Sequence, residues 1–373
     1  REHRRAFRGP VIGISGSAGK TSTKDLLAQL LGGAPAGVLA TAGNLNNHLG
    51  VPLTLTQLDP ATHRFAVIEA GIGGPGEMST LSEMIAPDLA IITTVAPAHT
   101  QALGTVEDVA REKSQLPRAL RPGGRARFPK SCTTFAAFQD LFVDQLVLER
   151  SAVLRPITEP RHTVHFNVLQ RPDETVVVVA YGPPPPALFK LRRVTDGMAQ
   201  NAALALTAAL VLGVPPATLQ PRLALWSPAK LRGEIRRDSD RLLYLDCYNA
   251  NPASMADALA TFVAIAPATE PRLFVLGCME ELGADAAAHH RRLGRSLPLR
   301  DQDRLFVIGT HADEVCRGVL EQGDFARQIQ MCSTLAPAAA ALADWRGAAF
   351  LKGSRRYALE QALAAPAREP VHA

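Results

Sequence analysis

The chain has 373 residues, of which 47% are hydrophobic and 20% are charged, and its formal net charge at pH 7 is +5. This size and composition favour two globular domains, each with its own core. The first ten residues hold four arginines and one glutamate, so three of the five charges lie there and no large basic face is left for nucleic acid. No apolar run approaches the roughly 18 to 20 residues of a membrane span, and no signal peptide is visible. We expect a cytoplasmic protein without nucleic-acid or membrane partners.

The first predicted elements are a strand, a glycine-rich turn and a helix, in the segment VIGISGSAGKTSTKDLLAQLLG at 11–32. A helix that starts directly after such a turn offers free backbone N–H groups and the positive end of its dipole to a phosphate chain. Lys20 adds a charge for the outer phosphates, and the Thr21 hydroxyl is suited to ligating magnesium. The predicted phosphate-binding residues are Ser17, Gly19, Lys20, Thr21 and Ser22.

This loop departs from the standard phosphate-binding pattern, G-x-x-x-x-G-K-[ST]. The pattern would place its first glycine at Ile14, whereas the chain has Gly16 followed by Gly19, Lys20 and Thr21. A tight strand-to-helix connection with no ligand is therefore the alternative interpretation. The preceding strand, the following helix and Thr21 favour phosphate.

Apolar strands then alternate with helical patterns, as in α/β proteins. Continuous apolar runs at 64–73 and 88–97 are typical of buried parallel strands. Helices are predicted around 77–85, 105–119 and 197–213. Alternating residues between about 141 and 193, interrupted by PPPP at 183–186, favour antiparallel strands joined by a loop.

The strand and helix alternation restarts at about residue 242. Strands are predicted in the segments RLLYLDCYN, RLFVLGCM, RLFVIGT and AAFLKGS. We therefore predict an α/β fold with a central P-loop domain at 1–226, whose mostly parallel sheet carries a small antiparallel insert at about 141–193. A Rossmann-like C-terminal domain follows at 227–373.

Two polar residues follow predicted strands, where open α/β sheets place functional groups. Glu69 ends the strand FAVIE, and His99 follows IITTVAPA. A buried carboxylate at a strand end needs a partner or a cation, and magnesium is the natural cation beside a P-loop. A capping or salt-bridged glutamate and a solvated histidine are the alternatives.

The five cysteines lie far apart and form no C-x-x-C pair: Cys132, Cys247, Cys278, Cys316 and Cys332. This spacing disfavours a zinc site and a disulfide framework, and it suits a reducing cytosol.

Seven motifs, in chain order, resemble those of the Mur ligase family: GSAGKTSTK, TAGNLNNHLGVPLTL, VIEAGIGGPGEMSTL, APDLAIITTVAPAH, VAREKSQL, YNANPASM and FLKGSRRYALE. The resemblance extends from about residue 8 to 363. GNLNN and YNANP point to the branch that adds D-alanyl-D-alanine to a UDP-muramoyl tripeptide in peptidoglycan synthesis.

The resemblance implies an ATP-dependent amide synthesis with magnesium. A carboxylate attacks the γ-phosphate of ATP to give an acyl phosphate, an amine attacks its carbonyl carbon, and phosphate leaves. It also implies a mobile C-terminal domain that closes over ATP, and the segment SPAKLRG at 227–233 is the predicted hinge.

Site roles also follow from the resemblance. Thr21 and Glu69 match ligands of one magnesium ion, and His99 matches a ligand of a second. Lys113 matches a carbamylated lysine, and it forms the expected catalytic set with Lys20 and His99. The positions that match nucleotide contacts are Asn201, Arg232, Asp246, Asn249 and Asn251. The candidate substrate contacts are Asn44, Asn46, Asn47, Lys352 and Arg355.

The sequence also departs from the family pattern. Family members carry a UDP-binding domain before the P-loop, whereas this sequence has a basic stub and no initiator methionine. Either a longer protein has been shortened, or the acid substrate carries no UDP. Ala70 replaces a methionine, GIG at 71–73 replaces GAN, Cys278 replaces an aspartate and His48 replaces a glutamate.

Three functions stay open. The first is the D-alanyl-D-alanine ligase activity, and the second is a ligase of a specialised pathway that joins a non-UDP acid to an amino acid or dipeptide. The third, a non-catalytic nucleotide-binding paralogue, is disfavoured because Lys20, Glu69, His99 and Lys113 are all retained. We expect a monomer that acts on small molecules.

Overall fold

The computed structural model describes residues 2–154, 162–182, 185–237 and 241–363. The chain divides into two compact units, the first ending at Ser227 and the second beginning at Pro228. No helix among the described residues has both the length and the apolar character to cross a membrane. All five cysteines are buried and have free thiols.

The first unit combines a long sheet with helices on both of its faces. Its strands are β1 (Val11–Ser15), β2 (Val38–Ala40), β3 (Phe65–Glu69), β4 (Leu89–Ile92), β5 (Arg125–Pro129), β6 (Asp144–Arg150), β7 (His162–Gln170), β8 (Glu174–Val179) and β9 (Ala187–Arg192). Its helices are α1 (Glu2–Ala6), α2 (Lys20–Leu31), α3 (Gly50–Leu55), α4 (Glu77–Ile85), α5 (Thr100–Leu103), α6 (Val106–Lys113), α7 (Gln115–Arg118), α8 (Ala136–Gln139), α9 (Asp196–Val211) and α10 (Pro216–Ala224).

In the described part of this unit, nine strands form one sheet in the order β2-β3-β1-β4-β5-β6-β7-β8-β9. The strands from β2 to β7 pair in parallel. Ile14 of β1 lies opposite Glu69 of β3 and Ile91 of β4. The carboxyl ends of these three strands therefore meet at one edge of the sheet, beside the glycine-rich loop.

The sequence predicts a small antiparallel insert at about 141–193, whereas the structure shows both parallel and antiparallel strand pairs in this segment. β6 runs parallel to both of its neighbours, and only β7, β8 and β9 pair in antiparallel fashion. These strands continue the main sheet. Alternation in the sequence reports which face of a strand is buried, and it carries no information about strand direction. Of the predicted proline loop, 183–184 lie outside the described residues.

Helices α2 and α9 cover one face of this sheet. α9 consists largely of buried alanine and leucine, as its sequence predicts, and these small side chains let it pack closely against α2. The opposite face is covered by α4 and the helices around it, through Met78, Leu81 and Ile85. The helix expected at 105–119 is divided into α6 and α7 at Ser114.

The basic segment before β1 forms part of the first unit. Arg4 on α1 is buried, donates hydrogen bonds to the carbonyl oxygens of Ile85 and Ala86, and pairs with Asp88. Phe7 is buried in the core beneath the sheet.

The second unit contains another sheet, in the order β10-β11-β15-β12-β13-β14 among the described residues. Its elements are β10 (Glu234–Arg237), β11 (Arg241–Asp246), β12 (Arg272–Gly277), β13 (Arg304–Ile308), β14 (Ile329–Cys332), β15 (Gly347–Lys352), α11 (Pro252–Ile265), α12 (Ala286–Ser296), α13 (Ala312–Leu320) and α14 (Ala336–Asp344). All neighbouring pairs are parallel except β10 with β11. The α/β class, with a mostly parallel first sheet and a second sheet, is confirmed.

Candidate nucleotide and metal site

The glycine-rich loop has a conformation that requires its two glycines. Gly16 has a φ of 146° and Gly19 a φ of 78°, both in a region that L-residues with a side chain rarely adopt. A Cβ on Gly16 would lie 1.9 Å from Thr93 Oγ1, and a Cβ on Gly19 would lie 2.0 Å from Asn201 Nδ2. The loop thus fits closely between the end of β4 and helix α9, and Asn201 is placed directly beside the P-loop.

Lys20 and Ser17 are both tied to neighbouring backbone. Lys20 Nζ donates a hydrogen bond to the Gly16 carbonyl oxygen at 3.0 Å, so the ammonium folds back over its own loop. Ser17 Oγ donates to the Ala96 carbonyl oxygen at 2.8 Å and accepts from the Ala96 N–H at 3.0 Å. Ser17 therefore links the loop to the segment that follows β4. Ser22 is partly exposed on the first turn of α2.

Glu69 ends β3 with a buried carboxylate, as the sequence predicts. Its Oε1 accepts hydrogen bonds from Thr21 Oγ1 at 3.1 Å and from Asn46 Nδ2 at 2.7 Å. Its Oε2 is buried and has no hydrogen-bond partner within the described parts of the chain. An ionised oxygen that is buried without a partner costs several kcal/mol unless a cation compensates it. The donor set therefore fits a hard divalent cation such as magnesium.

Lys113 lies at the C-terminal end of α6 and is 1% exposed. Its burial and, second, the charge of Lys20 lower the pKa of Lys113 well below its usual value, against an opposing effect of Glu112. The structure thus brings Lys113 close enough to Lys20 for their charges to interact. Burial of this kind favours the neutral form of the amine over the ammonium.

The other residues predicted in the first unit have more varied positions. His99 immediately precedes α5 with a left-handed backbone, at a φ of 58°. Asn47 Oδ1 accepts from the N–H groups of Leu49 and Gly50, so this side chain orders the start of α3. Asn44 and His48 are exposed.

In the second unit, Lys352 is engaged by protein groups. It is 1% exposed at the end of β15, and its Nζ donates to Asp246 Oδ2 and, at 3.1 Å, to the Asn249 carbonyl oxygen. Asp246 and Asn249, two of the predicted nucleotide contacts, therefore both accept hydrogen bonds from the Lys352 ammonium. The charge of Lys352 is paired with Asp246, and its side chain links β15 to the loop after β11.

The remaining predicted residues of the second unit lie around the same loop or on the surface. Asn251 caps α11, its Oδ1 accepting from the Ser254 N–H at 2.8 Å. The Arg232 guanidinium stacks 3.7 Å above the centre of the Tyr248 ring. Arg355 is exposed and forms an ion pair with Glu360.

Cys278, the residue in place of an aspartate, is fully enclosed. It is 1% exposed, and burial raises the pKa of its thiol to about 12. A Cβ on Gly309 would lie 2.8 Å from its sulfur and 2.4 Å from the Tyr357 hydroxyl, which donates to Glu280. The contact between Tyr357 and Glu280 could not be predicted from the sequence, because only the fold brings the ends of β12, β13 and β15 together.

Within the described ranges, no group of three or more histidine, cysteine, aspartate or glutamate side chains is placed to hold a metal. A magnesium ion at Glu69 would therefore depend on ligands from outside that set, namely the Thr21 hydroxyl and phosphate oxygens.

Two family models match this chain. The Mur ligase middle domain matches residues 14–145, and the Mur ligase glutamate ligase domain matches residues 231–355. The chain is 30% identical over 365 residues to the UDP-N-acetylmuramoyl-tripeptide–D-alanyl-D-alanine ligase of Escherichia coli K12, with 95% of this chain and 76% of that protein covered. It belongs to the Mur ligase family.

Two further comparisons agree. The chain is 32% identical over 316 residues to the ligase of the same description from Mycobacterium tuberculosis H37Rv, with 80% of this chain covered. The chain spans 58% of the length of that relative. The crystal structure of MurF from Acinetobacter baumannii is similar with a TM-score of 0.82 and 27% identity, over 97% of this chain and 77% of that one.

Proposed function

We propose that this chain catalyses an ATP-dependent condensation of a carboxylate with an amine, releasing ADP and phosphate. The observation that carries the proposal is the pairing of the P-loop Thr21 with Glu69, whose Oε2 is buried without a partner in the described structure. Phosphoryl transfer requires a loop that binds phosphate and a nearby carboxylate that can hold a metal ion, and both are available at this sheet edge. The five buried free thiols support a cytoplasmic setting, and we expect a monomer.

Thr21 and Glu69 would hold magnesium, with His99 as a proposed ligand of a second ion. When bound, magnesium neutralises the negative charge of the phosphates during transfer. The chain's own groups then position the reactants. Lys20 places a positive charge over the loop, and we propose that Asn201, which lies beside Gly19, contacts the nucleotide.

We propose the acyl-phosphate route for the chemistry. The substrate carboxylate attacks the γ-phosphorus atom, and the bond to the β-phosphate oxygen breaks as ADP leaves. The amine then attacks the acyl carbon, and the carbon–oxygen bond to phosphate breaks, so that an amide and inorganic phosphate result. In the second unit, Arg232, Asp246, Asn249 and Asn251 stay proposed nucleotide contacts, and Arg355 stays a proposed substrate contact.

Lys113 is proposed to carry a carbamate. A neutral amine adds to carbon dioxide and releases one proton, so a group that would repel magnesium becomes an anionic oxygen donor. The burial of Lys113 and its proximity to the charge of Lys20 support this, since both disfavour the ammonium form.

For the substrates, we propose a UDP-muramoyl tripeptide as the acid and D-alanyl-D-alanine as the amine. The names of the relatives from Escherichia coli and Mycobacterium tuberculosis support this choice. The second candidate stays a ligase that joins a non-UDP acid to an amino acid or dipeptide.

The test is an ADP-release assay with magnesium and ATP. UDP-muramoyl tripeptide and D-alanyl-D-alanine are supplied together, then each alone, and then with the acid replaced by its UDP-free muramoyl tripeptide. ADP release that requires both partners and the UDP group supports the first candidate, and release with the UDP-free acid supports the second. Nucleotide binding without turnover on any of these pairs would contradict a muramoyl tripeptide and D-alanyl-D-alanine as the substrates.

A further inference from the structure

The sequence predicts Asn46 as a substrate contact, and in the structure its side chain forms a hydrogen bond with Glu69. Asn46 Nδ2 donates to Glu69 Oε1 at 2.7 Å, a shorter contact than the 3.1 Å bond from Thr21. An amide N–H bonded to a carboxylate is a charge-assisted hydrogen bond, which is stronger than one between neutral groups. The Asn46 amide therefore binds the Glu69 carboxylate firmly.

Both donors bind the same oxygen of Glu69. Because Thr21 and Asn46 occupy Oε1, the carboxylate is held against rotation, and Oε2 is the oxygen left buried and unpartnered in the described structure. The strand end beneath is fixed as well. The Glu69 N–H donates to Thr41 Oγ1 at 2.9 Å, and the buried Lys24 donates to the Thr41 carbonyl oxygen at 2.8 Å.

Asn46 reaches Glu69 because residue 71 has no side chain. The Gly71 N–H donates to the Asn46 carbonyl oxygen at 2.9 Å, which brings the two backbones together. A Cβ on Gly71 would lie 2.8 Å from Asn46 Cγ and Oδ1 and 2.9 Å from Nδ2, closer than real Cβ contacts allow. A methyl group at this position would push the amide away from Glu69.

We propose that Asn46 is a positioning residue for the metal-binding carboxylate: it holds Glu69 so that Oε2 faces the cation. This inference rests on the proposed function, since it assumes that Glu69 binds magnesium. Groups that orient a metal ligand in this way change metal affinity by about 10- to 100-fold when they are removed. Asn46 thereby acts through Glu69, without touching the reacting atoms.

The experiment measures Mn²⁺ binding to the whole chain by electron paramagnetic resonance, with a non-hydrolysable ATP analogue bound. Glu69→Gln is the reference, and Asn46→Ala removes the amide. Gly71→Ala keeps the amide but displaces it. Gly73→Ala is the matched control, because a Cβ there meets no atom within 4 Å. Thermal unfolding of each variant confirms that it is folded.

We expect Asn46→Ala and Gly71→Ala each to weaken Mn²⁺ binding by about tenfold or more, and Gly73→Ala to change it less than twofold. Asn46→Ala combined with Glu69→Gln should bind no more weakly than Glu69→Gln alone, because both changes act on one interaction. If Asn46→Ala fails to fold, the Gly71→Ala result decides.

Two results would overturn the inference, and they differ. Unchanged Mn²⁺ affinity in Asn46→Ala and Gly71→Ala, with a clear loss in Glu69→Gln, would refute the positioning role alone. If the same variants raised the KM for the acid substrate, Asn46 would be a substrate contact. Unchanged affinity in Glu69→Gln would instead refute the proposed metal site, and the inference with it.

Discussion

Thr21 Oγ1, on the first turn of α2, donates a hydrogen bond to Glu69 Oε1, at the end of β3, over 3.1 Å. The two residues are 48 positions apart and meet because β1 and β3 pair in parallel with Ile14 opposite Glu69. The hydroxyl that follows the P-loop lysine and a buried carboxylate thereby share one sheet edge. This relationship is the basis of the proposed metal and nucleotide site.

Lys20→Ala should reduce turnover by at least 100-fold and leave stability nearly unchanged. The side chain is partly exposed and donates a hydrogen bond to the backbone of its own loop, so its loss leaves no cavity, whereas the transferring phosphate loses a neutralising charge. Steady-state ADP release and thermal unfolding measure the two effects. Lys190→Ala, an exposed lysine on β9, is the control. Turnover above about a tenth of the wild-type value, a loss under ~1.4 kcal/mol, would remove the P-loop interpretation.

Lys113→Met should be inactive but at least as stable as the wild type. Methionine fills a similar volume without the cost of burying an amine, and it cannot form a carbamate. Lys113→Ala should also be inactive and regain part of its activity with acetate, which supplies a carboxylate in the space left behind. Wild-type activity should fall when bicarbonate and carbon dioxide are removed. Full activity of either variant would show that no carbamate is needed.

Gly19→Ala should weaken ATP binding by more than tenfold. The added methyl group would lie 2.0 Å from Asn201 Nδ2, and the φ of 78° is strained for alanine by about 1 kcal/mol or more. Isothermal titration with ATP and magnesium measures the loss. In the Asn201→Ala background the clash disappears but the backbone strain does not, so Gly19→Ala should cost less there. An equal cost in both backgrounds would mean that Asn201 does not pack against the loop.

Asp303→Asn should destabilise the second unit by about 3 kcal/mol at pH 7, because it breaks a buried ion pair. Asp303 has no exposed side chain and accepts hydrogen bonds from Arg272 Nε at 3.0 Å and Arg300 Nη2 at 3.1 Å. Burial alone would raise the pKa of Asp303, but the bonds from Arg272 and Arg300 outweigh it, and the net shift is downward.

The sign of that shift fixes the pH dependence. A lowered pKa in the folded state means that the stabilisation is complete above the unfolded value of about 3.9 and is lost as the pH falls through the folded value. Urea unfolding between pH 7 and pH 3 should therefore give a difference between wild type and Asp303→Asn that shrinks below about pH 4. A difference that grew toward acid would contradict the pairing.

The strands that could be predicted are the buried ones. Continuous apolar runs such as FAVIE and RLFVLG form β3 and β12 because both of their faces are covered. β14 and β10 were missed: IQMC and EIRR are short, partly exposed strands at the edges of their sheet, where no apolar pattern is needed.

The positions of the candidate site residues could be predicted from the sequence better than the contacts between them. Spacing after a strand sufficed to predict that Lys20, Thr21 and Glu69 lie at one sheet edge, because neighbouring parallel strands end at the same edge. It could not show that Asn46 binds Glu69, since that depends on the missing side chain at Gly71. Nor could it predict that Lys352 is buried against Asp246, because a basic residue at a strand end is equally consistent with an exposed position.

The central claim is that a substrate carboxylate becomes an acyl phosphate. The most direct measurement uses UDP-muramoyl tripeptide with both oxygens of its reacting carboxylate labelled with ¹⁸O, together with D-alanyl-D-alanine, ATP and magnesium, and it determines the mass of the phosphate released. We predict that each phosphate carries one ¹⁸O atom and that one phosphate forms per amide bond. Unlabelled phosphate accompanying amide formation would contradict the account, because the carboxylate oxygen would then never have been bonded to phosphorus.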